Sequence, residues 1–172
     1  MASVIIVLRI IHIFCGVFWA GYAFFNYYYL QPTVKALGPD GQKTMQHLSQ
    51  KTNFLTVIYT AATLTMLSGI AIYWIMFGFN MSFIASGYGM VLSVAGLAGI
   101  AGWFIVVAFI RQIFVQMQAV GGEIQSSGNP PNPDLIAKMQ GLVGRLGKLG
   151  KIALIFIIIA LLGMSSARFV SF

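Results

Sequence analysis

The residues that could do chemistry lie together in one apolar stretch. Val4 to Leu30 is apolar apart from Arg9, His12, Trp19, Asn26 and a few small or tyrosyl side chains. Steps of three or four along Arg9, His12, Gly16, Trp19, Ala23 and Asn26 set these on one side of a helix, while Ile6, Ile10, Phe14, Phe18 and Phe25 cover much of the rest. Imidazole ligates copper, zinc and haem iron, and in its neutral form it tolerates a low-dielectric site better than a charged group does. His12 is therefore the candidate metal ligand, and haem b or copper is the cofactor it would take. Around it, Gly16 could leave room for a flat macrocycle, Trp19 and the phenylalanines could wall the site, and Arg9 could neutralise a propionate. Each residue also has a plainer reading. His12 can tie the bundle through a Ser or Thr, Gly16 can serve helix contact, and Arg9 can snorkel to headgroups.

Spacing limits what one chain can offer. A bis-His haem needs two spanning histidines, and His47 falls in a polar interval roughly a membrane thickness from His12. The remaining partners are a methionine in a span, Met66, Met90 or Met164, or a second His12 across a homodimer. The acids, Asp40, Glu123 and Asp134, all fall in polar intervals, so an acid/base enzyme or proton pump lacks its groups. No phosphate loop, zinc spacing or nucleophile motif is present. The expectation is a non-enzymatic protein.

The elements that must position these groups are membrane spans. Of 172 residues, 59% are hydrophobic and 8% charged, far from soluble averages, and the mean hydropathy is +0.88. This predicts an all-α integral membrane protein, one domain over residues 1–172, built as a four-helix transmembrane bundle. The lone Cys15 cannot form an internal disulfide. The net charge of +7 does not point to nucleic acid, because the bases cluster at the ends of apolar segments.

Hydropathy and turn residues place the spans at about 4–30, 53–77, 86–110 and 151–170. No short apolar core followed by small residues opens the chain, so a removed signal peptide is not expected. Pro32 and Pro39 bracket a break after the first span, and the second helix is predicted to start near Asp40, outside the membrane. Asn53, Thr56, Thr60 and Thr63 form a polar stripe suited to bonds across a helix interface, and Gly89, Ser93, Gly96, Gly99 and Gly102 form a small-residue stripe in the third span. FGFNMSF (77–83) fits a tight turn. GGEIQSSGNPPNP (121–133) reads as a mobile linker, and Asn132-Pro133-Asp134 as the cap of the last helix. That helix begins with an amphipathic lead-in, Leu135, Met139, Leu142, Leu146 and Leu149 opposite Lys138, Arg145 and Lys148. It could lie on headgroups, but pairing with the projecting end of helix three is the favoured arrangement.

Eight bases, Lys35, Lys43, Lys51, Arg111, Lys138, Arg145, Lys148 and Lys151, belong to the two long connections and their helix ends, against Arg9 and Arg168 on the other side. The positive-inside rule then makes both connections cytoplasmic, with N-terminus and C-terminus outside and helices extending beyond the membrane on the cytoplasmic side. Arg9 and Arg168 could jointly hold an anionic group at the outer surface.

LRIIHIFCGVFWAG resembles the opening helix of the CopD-like family of small bacterial membrane proteins associated with copper. ALGPDGQKTMQHL, LTMLSGIAIYW, GLAGIAGWF, GEIQSSGNPPNPDLIAKMQGLVGRLGKLGKI and GMSSARFV extend the likeness, over nearly the whole chain, to an uncharacterised four-span group within it. His12 and Trp19 in their apolar setting are also similar to the HemJ-like protoporphyrinogen oxidases, a likeness that implies haem, although no lysine follows in the next apolar span. These resemblances imply a bacterial inner-membrane location. The leading expectation is a protein binding haem or copper at His12. The alternative is a noncatalytic accessory subunit of a larger membrane complex, with its basic helix ends on acidic surfaces or anionic lipid.

Overall fold

A computed structural model describes residues 2–78, 80–128 and 132–170. Among these, every regular element is helical, and four helices, Ala2–Ala36, Phe54–Phe77, Gly87–Ser126 and Pro133–Phe169, are long and apolar enough to cross a membrane. The first consists of α1 (Ala2–Phe25), a π turn (Asn26–Leu30) and α2 (Gln31–Ala36). α3 (Pro39–Gln50) and α4 (Phe54–Phe77) follow, then the short α5 (Met81–Ile84). α6 (Gly87–Phe104) runs through a second π turn (Ile105–Ile110) into α7 (Arg111–Ser126), and α8 (Pro133–Ser166) ends in a 3-10 turn, Ala167–Phe169. This is the fold of a multi-pass helical membrane protein.

Pro32 does not stop the first helix. A proline inside a helix loses a hydrogen bond and clashes with the carbonyl four residues back, here that of Tyr28. The π turn relieves this by widening the ladder just before it, with the Gln31 N–H donating to Asn26 O across five residues. The break comes later, where Gly38 takes φ 56° and turns the chain into α3. α4 closes on Gly78 in the left-handed conformation, its N–H on Trp74 O. The FGFNMSF connection is more than a turn, since Asn80 caps α5 through Ser82 N–H; its Phe79 lies outside the described residues. Gly121 and Gly122, expected in the linker, are helical within α7, whereas Asn129, Pro130 and Pro131 lie outside the described residues. Asn132 caps α8 as expected, its side chain accepting from Asp134 N–H at 2.9 Å.

The helices form two tight pairs, α1 with α4 and α6 with α8, and looser α4–α6 and α1–α8 contacts close the ring. Trp19 and Ala20 of α1, Ile58 and Ala62 of α4, Val106 of the second π turn and Ala153 and Ile157 of α8 make the central core. A second cluster, Ile113, Val120 and Leu142 with Met117, Ile124, Met139, Leu146 and Leu149 around it, joins α7 to the lead-in of α8. Pairing of the two projecting ends is thus what the chain adopts, as the amphipathic spacing of α8 favoured. The outer faces are apolar too. Ile10, Ile13, Phe14 and Val17 on α1, and Leu67 and Ile70 on α4, are exposed, which water would penalise and lipid would not.

Candidate functional site on the first helix

The middle of the α1 stripe, His12, Gly16, Trp19 and Ala23, faces inward as its period predicts, whereas Arg9 is exposed. His12 Nδ1 lies 2.8 Å from Thr65 O. A carbonyl only accepts, so Nδ1 donates, and in the neutral imidazole Nε2 is then the nitrogen with the lone pair. Ser68 Oγ, 3.5 Å from the same nitrogen, is marginal, and it donates instead to Leu64 O and Thr65 O. The imidazole is half-buried against Gly69, where a Cβ would lie 2.7 Å from His12 Cε1. Gly69 is the socket that lets a ring sit between the two helices. Gly16, one turn further on, meets the same neighbour from the other side, since a Cβ there would lie 3.4 Å from Thr65 Cγ2. Trp19 is 6% exposed in the central core. Arg9 is exposed, with Nη2 3.5 Å from Met76 Sδ.

This arrangement bears on the fit of a cofactor. The room that Gly16 could have left for a macrocycle is occupied by the α1–α4 contact itself. Trp19 packs among aliphatic residues from the other helices, while Phe14, 76% exposed, and Phe18 and Phe25 point away from it, so they do not wall a common site with it. Among the described residues no group of three or more His, Cys, Asp or Glu side chains is gathered. Met164 lies by Gly99 in the α6–α8 pair. The site residues come together as a helix seam, with Nε2 of His12 as the nitrogen left to offer a metal or haem iron. Arg168 stacks on its own neighbour, 4.6 Å from the Phe169 centroid.

Two polar links between helices fall at Thr63 and Ser93, members of the stripes read from the sequence, while their partners Trp103 and Tyr73 were not singled out. Thr63 Oγ1 donates to Tyr59 O at 2.8 Å and accepts from Trp103 Nε1 at 3.1 Å. Ser93 Oγ donates to Gly89 O at 2.6 Å, so Tyr73, 2.7 Å away, donates to Ser93. Of the expected stripe Asn53, Thr56, Thr60 and Thr63, the first three are exposed and only Thr63 joins a neighbouring helix. The face that meets α1 is instead Ala61, Thr65, Ser68 and Gly69, whose signal was present as small residues at four-residue spacing. In the third span Gly99 and Gly102 do meet α8, whereas nothing lies within 4 Å of a Cβ at Gly96. The Tyr59 hydroxyl is buried without a hydrogen-bond partner among the described residues.

No family model matches this chain, and comparison with curated proteins and with solved structures finds no match. The CopD-like and HemJ-like resemblances therefore rest on the residues quoted for them.

Proposed function

We propose that this chain is a noncatalytic, membrane-embedded subunit that works by packing, an accessory to a larger assembly in what the CopD-like resemblance makes a bacterial inner membrane. One observation carries the reading. The α1 stripe that could do chemistry is spent on holding the bundle together, with His12 seated on Gly69 and bonded to Thr65, Gly16 against Thr65, and Trp19 in the core. Such a link is worth about 0.6 to 2 kcal/mol in a membrane bundle, enough to fix register without any ligand.

A second reading, haem or copper binding at His12, has its own support. Metal-bound histidines characteristically donate their other N–H to a carbonyl, and the His12–Thr65 bond is of that kind. His12 would hold the metal through Nε2, with Arg9 one turn away to balance acid groups, and the group would supply electron transfer or metal handling. A further ligand would then come from a methionine of a span or from outside the chain, from a second copy or a partner.

Purification from native membranes in mild detergent separates the two. Packing predicts a colourless, metal-free protein eluting with a larger membrane assembly, which His12→Ala weakens only as far as it lowers stability. A Soret band or stoichiometric copper that His12→Ala abolishes would overturn the packing reading in favour of the second.

A further inference from the structure

Charge on the α7–α8 projection of the bundle is sorted along the helix axes. Lys51, Arg111, Arg145, Lys148 and Lys151 lie within about two turns of the apolar spans and are all exposed, so the borders of the second, third and fourth spans each carry at least one base. Two of the three acids lie at the far tips, Glu123 near the end of α7 and Asp134 in the first turn of α8, whereas Asp40, in the first turn of α3, sits beside the Gly38 turn close to Lys35. Along α7 this separates Arg111 from Glu123 by about 18 Å. Among the described residues the one ion pair is Lys43 with Asp40, at 3.0 Å beside the Gly38 turn, so no carboxylate pairs with Lys51, Arg111, Arg145, Lys148 or Lys151.

From this we infer that the border bases Lys51, Arg111, Arg145, Lys148 and Lys151 bind the phosphates of anionic phospholipid headgroups. An acidic protein approaching from the aqueous side would meet the acid-bearing tips first, whereas the headgroup layer lies at the level of the bases. Juxtamembrane bases attract anionic lipid over about a Debye length, so bases at the border contribute and those at the tips contribute little. The inference does not depend on whether His12 binds a ligand.

The test uses the full chain reconstituted in phosphatidylcholine bilayers, with spin-labelled phosphatidylglycerol or phosphatidylcholine as probe, and reads the motionally restricted fraction of each. Wild-type protein selects phosphatidylglycerol severalfold at low ionic strength, and salt reduces the preference. The border variant Lys51→Gln/Lys151→Gln lowers that selectivity about twofold or more, whereas the charge-matched control Lys43→Gln/Lys138→Gln, which removes the base paired with Asp40 and the base at the α8 tip, leaves it unchanged. Adding Arg111→Gln and Lys148→Gln to the border pair takes the ratio toward unity. Helicity by circular dichroism qualifies each variant, and the double variants decide if the quadruple one does not fold. Equal affinity of the wild type for both lipids, or equal loss in the border and control variants, overturns the inference.

Discussion

Gly69 governs the orientation of His12, because a Cβ would fall 2.7 Å from Cε1 and 3.0 Å from Nδ1. Gly69→Ala should push the ring from its seat, lengthen the bond to Thr65 and cost about 1 to 3 kcal/mol, read as a lower unfolding midpoint in mixed micelles. A midpoint equal to wild type would mean that the imidazole is not held there. Tyr59 tests the opposite case. Its hydroxyl is buried without a partner, so Tyr59→Phe removes a desolvated group and loses no bond, and stability should stay equal or rise by up to about 1 to 3 kcal/mol. A clear loss of stability in the same assay would show that this hydroxyl has a partner. The two residues also mark what the sequence could reveal at this scale. That Arg9, His12, Gly16 and Trp19 share a face follows from period alone. That the face is answered by Thr65 and Gly69 depends on which helix packs opposite and in what register, and a lone glycine in an apolar segment does not announce its neighbour.

Among the elements, the spans were legible because a membrane leaves so few solutions: a run of about 20 apolar residues must be helical to satisfy its own backbone. The helix caps were legible for the same local reason, as at Asn132. Two things were not. Pro32 and Pro39 bracket the break, but that it falls at Gly38 depends on the π turn before Pro32, which lets the helix go on to Ala36. The threonine stripe reads as an interface, yet at Thr56 and Thr60 it faces outward, since close approach of backbones follows the small residues rather than the polar ones. The α6–α8 pair makes the same point. A Cβ on Gly163 would lie 2.7 Å from Ala95 Cβ, so Gly163→Leu must force the two helices apart. It should destabilise by about 1 to 3 kcal/mol. Gly96 has open space and provides the control, where Gly96→Ala should be neutral or stabilise by up to about 1 kcal/mol through helix propensity. Equal effects of the two substitutions in a thermal unfolding series would mean that Gly163 is not in the seam.

For the molecule as a whole, the governing quantity is the asymmetry of its two ends. One end carries short elements and aromatic packing, with Phe77 stacked on Phe83 at 3.9 Å between centroids and Tyr73 and Tyr88 edge-on to them. The other carries the α2–α3 and α7–α8 projections and eight of the ten Lys and Arg residues. Insertion reads that difference, because bases in short connections are retained on the cytoplasmic side. Single cysteines placed by Ser3→Cys and Gln125→Cys in a Cys15→Ser background report it directly, both positions being exposed. In intact cells a membrane-impermeant maleimide should label the first and spare the second, and permeabilisation should expose the second. The reverse pattern would put the border bases against the outer leaflet. Since α1 and α8 end on the short side, the same experiment assigns a side to His12, which lies about 15 Å from the start of its helix, and so to anything its Nε2 could meet.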